Sequence, residues 1–306
     1  DHLSVNDRKD KIRQRLWKIR AKKVVIATGA IERPLIFNNN DRPGILLSSS
    51  IKKYIDYYGV KCGTKISIFT SNDSAYETVL SLYKNGVKVN SIIDIRDKSE
   101  SLIVKKVQDI GIKIYWKHTV VNTKGYKRIN SIELMKLNEK GTGVIGDKIN
   151  ESCDCLGISG GWTPMVHLFT QSGGKLEFNR IDNMFIPDEN KSPSEQISVG
   201  SCNGDLELDD IIKKTNLKTK EFLDINTSIF DSLKIQSSKE KNKKNIWLLP
   251  SDKPLGKTKP FLDFQNDSTA KDVKLALREG FKSIEHVKRY TTTGMGTDQG
   301  KLSNMH

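Results

Sequence analysis

Residues 65–95 read KISIFTSNDSAYETVLSLYKNGVKVNSIIDI, and the fold follows from this stretch. Lys65–Phe69 alternates β-branched and aromatic residues with polar ones, which predicts a strand. From Asp73 to Asn85 apolar residues recur at Ala75, Val79, Leu82 and Tyr83, a helical period, and Gly86 stands where a helix C-terminus takes a left-handed residue. Val87–Ile95 reads as the next strand. The three elements make one βαβ unit of about 30 residues, which requires a parallel sheet with helices on its faces.

Outward from this unit the pattern continues. Glu100–Ile110 reads as a helix and Ile112–Tyr115 as a strand. Thr119–Tyr126 and Asn130–Leu137 read as a hairpin, and Asn138–Asn150 as a polar, Gly-rich loop. Upstream, Ser48–Tyr58 has helical spacing closed by Gly59, and residues 31–45 hold two Pro, a Gly and an Asn run, as a connection does. Val24–Ala27 predicts a buried parallel strand running into a tight turn at Thr28-Gly29. Residues 12–21 alternate roughly, as a strand or hairpin arm would.

Beyond the hairpin, Cys153–Ser159 reads as a strand followed by Gly160-Gly161-Trp162-Thr163-Pro164. Met165–Gln171 reads as a short helix, and two short strands fall within 184–200. The second ends at Val199-Gly200-Ser201-Cys202-Asn203-Gly204, and helical spacing resumes over Leu206–Lys214. Residues 216–259 are rich in Lys, Ser, Asn and Thr and read as linker. A compact segment begins at Pro260-Phe261. Its helix, Thr269–Glu279, is started by Ser268 or Thr269 and stopped by Gly280.

Composition excludes several classes. The 306 residues contain no apolar run long enough to cross a membrane. The start, Asp1-His2-Leu3-Ser4, is polar and without Met, so no signal peptide is read, and a fragment cut at both ends is expected. The net charge is +14, the pI about 9.4 and the mean hydropathy −0.50. The cations are 40 Lys and only 11 Arg, scattered along the chain. Arg is the residue that grips phosphate and base edges bidentately, so a Lys-coated surface is read here rather than a nucleic-acid interface. The densest basic run is Lys239–Lys244. Cys62, Cys153, Cys155 and Cys202 are too sparse for a disulfide framework. The C-x-C spacing of Cys153 and Cys155 is neither a redox pair nor a zinc knuckle. A reducing, cytoplasmic setting is expected.

The layout of a strand ending Thr28-Gly29, a complete βαβ unit and a returning strand ending Val199-Gly200 is that of a flavoprotein with two dinucleotide-binding domains, the second inserted in the first. Expected divisions are 1–46, the end of the first Rossmann domain; 47–150, the insert; 151–215, the return; 216–259, linker; and 260–306, the start of a small helical domain. Small residues at strand ends let backbone approach a dinucleotide closely. Ala27, Thr28, Gly29 and Gly200 are therefore candidates for cofactor contact. The insert departs from G-x-G-x-x-G: Thr70 and Asn72 replace its first two glycines, only Ala75 suits the third, and Asp73 adds negative charge where pyrophosphate belongs. The insert is read as a retained fold that has lost dinucleotide affinity, and Asp94 as a polar strand end.

Several stretches together resemble a known family: Arg15-Leu16-Trp17-Lys18-Ile19-Arg20, Val25-Ile26-Ala27-Thr28-Gly29-Ala30-Ile31-Glu32-Arg33-Pro34, Asn40-Asp41-Arg42-Pro43-Gly44, Ser159-Gly160-Gly161-Trp162-Thr163-Pro164 with His167-Leu168, Asp263-Phe264-Gln265-Asn266-Asp267, and Glu285-His286-Val287-Lys288-Arg289-Tyr290-Thr291-Thr292. The chain resembles the α subunit of heterotetrameric sarcosine oxidase over nearly its whole length, apart from 216–259. The resemblance implies a complex with β, γ and δ subunits that oxidises sarcosine to glycine with H2O2, yielding formaldehyde or, with tetrahydrofolate, methylenetetrahydrofolate. It implies NAD in the first domain, FAD in the β subunit, FMN at the interface with β, and tetrahydrofolate in a C-terminal domain beyond these residues. Carried over residue by residue, the resemblance makes Gly200, Ser201, Asn203, Gly204, Leu206 and Leu208 the returning part of the NAD site. Disulfide reductase-like flavoproteins often have Gly-Asp where this chain has Gly200-Ser201, which speaks against FAD in this domain. The equivalent subunit of a related N-methyl amino acid dehydrogenase is an alternative, as is an NADH-dependent flavoprotein reductase.

Among individual residues, His167 and Trp162 read as structural, and Glu32-Arg33 as an ion pair or turn lock. Lys288, Arg289 and Thr291 read as a phosphate-facing loop, with the FMN phosphate as the expected occupant. No nucleophile with a base, no paired catalytic carboxylates and no metal cluster are read, so no residue here is assigned to catalysis.

Overall fold

The computed structural model describes residues 16–225 and 245–306. In chain order, β1 (Val24–Ile26), β2 (Ala30–Glu32) and β3 (Ile45–Leu47) lead into α1 (Ser48–Tyr58). Then come β4 (Ile66–Thr70), α2 (Ser74–Lys84), β5 (Val89–Asp94), α3 (Leu102–Asp109) and β6 (Lys113–Trp116). An antiparallel meander follows: β7 (His118–Lys124), β8 (Ser131–Leu137) and β9 (Val144–Ser152). The chain continues through β10 (Cys155–Ser159), β11 (Trp162–Pro164), α4 (His167–Gln171), β12 (Leu176–Asn179), β13 (Met184–Pro187), β14 (Gln196–Ser198) and α5 (Leu208–Leu223). Last are β15 (Phe261–Asp263), β16 (Ser268–Thr269), α6 (Ala270–Arg278) and α7 (Ile284–Thr291).

The central sheet is fully parallel, in the order β3-β10-β4-β5-β6. Parallel sheets need both faces covered, and here the covers differ. On one face Ile66, Ile68 and Ile92 pack beneath Ile51, Val79, Leu82 and Val104 of α1, α2 and α3. On the other, Phe69, Ile93, Leu156 and Ile158 pack against Val120, Ile132 and Leu134 of the meander. The alternation of side chains along β4 and β10 thus feeds two cores. All ten residues of these two strands are buried.

The expected elements of 48–137 lie where the periodicity puts them, and the α/β class holds. Other expectations are corrected. Asn138–Asn150 is not wholly loop, because β9 begins at Val144; it is an outer strand whose Asp147, Lys148 and Asn150 mask the strand pattern. The insert's sheet reaches from Ile45 to Ser159, so the expected divisions at 47 and 151 cut through it: β10 pairs with both β3 and β4. Only Ile26 of β1 is buried, while Val24 and Val25 are 43% and 39% exposed; among the described residues β1 pairs with β14 alone. Residues 16–22 form no strand, and the rest of the expected arm lies outside the described residues. The expected linker begins inside α5, and its far end is packed: Leu249 is buried and its amide donates to the Ile36 carbonyl at 2.9 Å. The basic run Lys239–Lys244 lies outside the described residues. The small C-terminal helices are present, and α6 opens with a capping box in which Thr269 and Asp272 each serve the other's backbone.

Gly157 in β10 lies where the sheet packs closely against α1. A Cβ there would stand 2.6 Å from Ile68 Cδ1 and 2.9 Å from Ile51 Cδ1. Gly157→Ala should lower stability by about 1–3 kcal/mol through overpacking, read as a reduced urea midpoint; an unchanged midpoint would mean that the β10–α1 contact yields freely.

Candidate functional site

The carboxyl ends of β1 and β14 lie side by side, with Ile26 opposite Ser198 in parallel register. Ligands of α/β sheets bind outside such ends. After β1, the Ala27-Thr28-Gly29 turn is held by a reciprocal pair: Thr28 Oγ1 donates to the Met165 carbonyl at 2.6 Å, and the Met165 amide donates to the Gly29 carbonyl at 2.9 Å. Gly29 has φ +74°, and the space where its Cβ would stand is open. After β14, the Val199 amide donates to the Ile26 carbonyl, and Gly200–Asn203 make one 3₁₀ turn ending at Gly204, φ +91°. The Cys202 thiol is buried and donates to the carbonyls of Ile26 and Val199.

The two turns that the sequence separates by 170 residues therefore share one rim. Ser201, Asn203 and Leu206 are partly buried there, and Leu208 opens α5 with an exposed side chain. Sequence reasoning missed Met165 and Asp205. Asp205 is buried and paired with Lys214, so its carboxylate does not stand in for the Asp absent at Ser201. Cys202 is buried, and the rim offers accessible backbone at the positive-φ glycines Gly29 and Gly200. His167, two residues beyond Met165, starts α4, and burial first, then Lys301, lowers its pKa.

The second crevice, where sheet order reverses between β4 and β10, is bridged by the protein itself. Thr70 Oγ1 donates to the Asn72 carbonyl at 2.9 Å, and the Asn72 side-chain amide donates to Ser159 Oγ at 2.9 Å. The Trp162 indole N–H donates to Ser74 Oγ at 2.9 Å across the start of α2. Below them Arg96 is 1% exposed and lies between Asp73, at 2.8 Å, and Asp94, at 2.7 Å. Asp94 is thus a fully buried ion-pair member rather than a polar strand end, and Tyr76 O–H donates to it at 2.8 Å. Burial, then the Asp94 charge, pushes the Tyr76 phenol far above its usual range. Side chains fill the positions where a pyrophosphate would approach the helix N-terminus.

Two further expectations are corrected. Lys288, Arg289 and Thr291 form the last turn of α7, not a loop. Thr291 is buried, and its hydroxyl donates to the Val287 carbonyl at 2.8 Å. The adjoining cleft is lined by Asp267 and Asp272, which repel phosphate. Glu32 and Arg33 do not pair: the Ser49 amide donates to Glu32 Oε2 at 2.8 Å at the start of α1, while Arg33 donates to the Asn183 carbonyl and lies over the Trp247 ring. Burial pushes the Cys153 and Cys155 thiols up to about 11 and about 12. Among the described residues no group of three or more His, Cys, Asp or Glu is placed to hold a metal.

Arg96→Met leaves two carboxylates buried without their cation and should destabilise the fold by about 3–5 kcal/mol; a loss below about 1 kcal/mol in chemical denaturation would show that the cluster is not needed. Glu32 gives a pH prediction. Burial raises its carboxyl above the ordinary 4.5, against hydrogen bonds from Ser159 and Ser49. A raised pKa contributes stability that is complete below the unfolded value and is lost as pH rises through the folded one. Glu32→Gln should therefore gain on the parent as pH climbs from 4.5 toward neutrality; parallel stability curves would refute this.

Residues 257–306 match the family model described as the sarcosine oxidase A3 domain. The chain is 32% identical over 303 residues to sarcosine oxidase subunit alpha of Corynebacterium sp. (strain P-1), covering 96% of this chain and 30% of that protein. It is 33% identical over 302 residues to the subunit of that name in Rhizobium meliloti (strain 1021), covering 96% and 28%. It thus spans about 30% of the length of the first of these relatives. Among solved structures, L-proline dehydrogenase from P. horikoshii superposes with a TM-score of 0.58 at 20% identity, over 93% of this chain and 51% of that one; this likeness concerns the fold. Among the described residues no helix is long and apolar enough to cross a membrane. The chain has an α/β fold of the two-dinucleotide-domain flavoprotein type and is, over nearly all of its own length, a homologue of the sarcosine oxidase alpha subunit.

Proposed function

We propose that this chain is the NAD-holding part of an α subunit in a cytoplasmic sarcosine-oxidising complex with β, γ and δ subunits. The observation that carries the reading is the shared rim of Ala27–Gly29 and Gly200–Gly204 at the ends of two parallel strands. Open space beside Gly29 and the positive φ of Gly29 and Gly200 suit close backbone approach to a pyrophosphate. NAD, when bound, offers a nicotinamide that exchanges hydride. The chain's own residues position it: Met165 holds the first turn, Cys202 ties the second to β1, and Ser201 and Asn203 offer polar side chains toward the rim.

On this reading amine oxidation belongs to the β subunit with its FAD, FMN lies where α meets β, and tetrahydrofolate is bound by another part of the α subunit. Lys288 and Arg289, at the end of α7, are the cations available to an FMN phosphate, and Thr291 contributes structure only. The bridged crevice of the insert counts against an NADH-dependent reductase, which needs a second open dinucleotide site. A dehydrogenase of another N-methyl amino acid would differ in the substrate chosen by β.

The test is to express the full-length subunit with its partner subunits, denature the purified complex and assay released NAD enzymatically, alongside sarcosine-dependent H2O2 formation. Wild type should release NAD, and Gly29→Val and Gly200→Val should reduce it at least about tenfold, because a β-branched residue is strained at positive φ. Wild type without NAD, or variants retaining all of it, would reject the site.

A further inference from the structure

Helix α1 has two apolar stripes. Ile51 and Ile55 are buried in the core beneath it. Tyr54, Tyr57 and Tyr58 are exposed, Tyr57 to 77%, and Val60, just past the left-handed Gly59, is exposed as well. The rings form one cluster: Tyr57 and Tyr58 meet edge to face at 4.9 Å between centroids, and Tyr54 and Tyr58 lie 6.0 Å apart.

Folding uses only the first stripe. On a solvent-facing helix surface Tyr is a weaker helix former than Lys or Glu, so local helix stability does not account for three of them together. Contiguous exposed apolar surface marks interaction sites, and Tyr is enriched in protein interfaces.

The charge around the cluster is positive on balance. Lys53 and Lys61 are exposed and make no ion pair among the described residues. Of the nearby carboxylates, Glu77 is neutralised by Lys52 at 2.7 Å, while Asp56 accepts from the neutral Ser81 and Asn85 at the α2 end and keeps its charge, so two cations stand against one anion. The face therefore presents an aromatic centre with a positive margin. Its electrostatic complement is a protein surface with an apolar centre and a carboxylate rim.

We infer that the Tyr54–Val60 face of α1 docks an acidic-rimmed partner subunit. The inference rests on the complex proposed above and assigns one of its contacts to the insert, on a face separate from the NAD rim. The experiment uses the full-length subunit and its own partner subunits, with two surface variants, Lys53→Glu with Lys61→Glu and Tyr57→Ser with Tyr58→Ser. Each should weaken retention of one partner subunit at least about tenfold, and added salt should weaken wild type in the same way. NAD content and circular dichroism should stay at wild-type values. Wild-type affinity in both variants overturns the inference. Wild type that carries NAD but assembles with no partner also overturns it and leaves the NAD reading standing; wild type lacking NAD, with partner loss in the variants, does the reverse. Self-association of wild type that the variants abolish would overturn it in favour of a second copy of this chain.

Discussion

The pairing of β10 with β4 is the contact on which the rest of the molecule depends. Five residue pairs, Cys155 with Ile66 through Ser159 with Thr70, join segments about 90 residues apart in parallel register. This pairing completes the sheet between β3 and β5 and divides the side chains of both strands between two cores. It also delivers Gly160-Gly161 to the backbone of Arg33-Pro34. A Cβ on Gly160 would stand 2.5 Å from the Pro34 carbonyl oxygen. Two hydrogen bonds lock the crossing, Gly160 N–H to the Arg33 carbonyl and Arg33 N–H to the Gly161 carbonyl. Through that crossing the chain leaves the insert, forms the β2–β11 ladder and reaches Met165 beside the Thr28-Gly29 turn.

The same pairing decides the fate of the two crevices. In the insert it brings Ser159 and Trp162 against Asn72 and Ser74, so polar groups that would have met a ligand meet each other. Arg96 sits beneath as an internal cation for Asp73 and Asp94. Buried charges of this kind persist only when mutually satisfied, and this triad lies beneath a closed carboxyl end of the sheet. Among the described residues, the turns after β1 and β14 are held by main-chain contacts, the Thr28 hydroxyl and the Cys202 thiol, and the backbone at Gly29 is open.

How much of this was legible in the sequence depends on range. The βαβ unit was, because hydrophobic period, helix-stopping glycines and strand composition are local properties of 65–95. The start of the C-terminal helix at Ser268 or Thr269 and its stop at Gly280 were legible for the same reason, whereas the capping box that Thr269 makes with Asp272 came from the structure. The loss of the glycine fingerprint at Thr70 and Asn72 was also visible, because a missing glycine is itself a conformational statement. Their partners were not: nothing near Asn72 points to Ser159, and nothing near Ser74 points to Trp162. Polar β9 hid because an outer strand need not alternate, and Lys288–Thr291 misled because a basic, hydroxyl-rich run has the same composition in a loop and in a helix end.

The sequence by itself determined the α/β class, the helix and strand positions of the insert, the glycine turns at 28–29 and 200–204, and the kinship carried by the long motifs. Tertiary structure alone decided that the two turns share a rim, that Asp94 is buried against Arg96, that Glu32 serves the start of α1 instead of Arg33, and that β10 belongs to the insert. The physical reason is that periodicity and turn chemistry are written within a few residues, whereas strand partners, desolvated ion pairs and shared rims arise from contacts across tens to hundreds of residues, which packing selects.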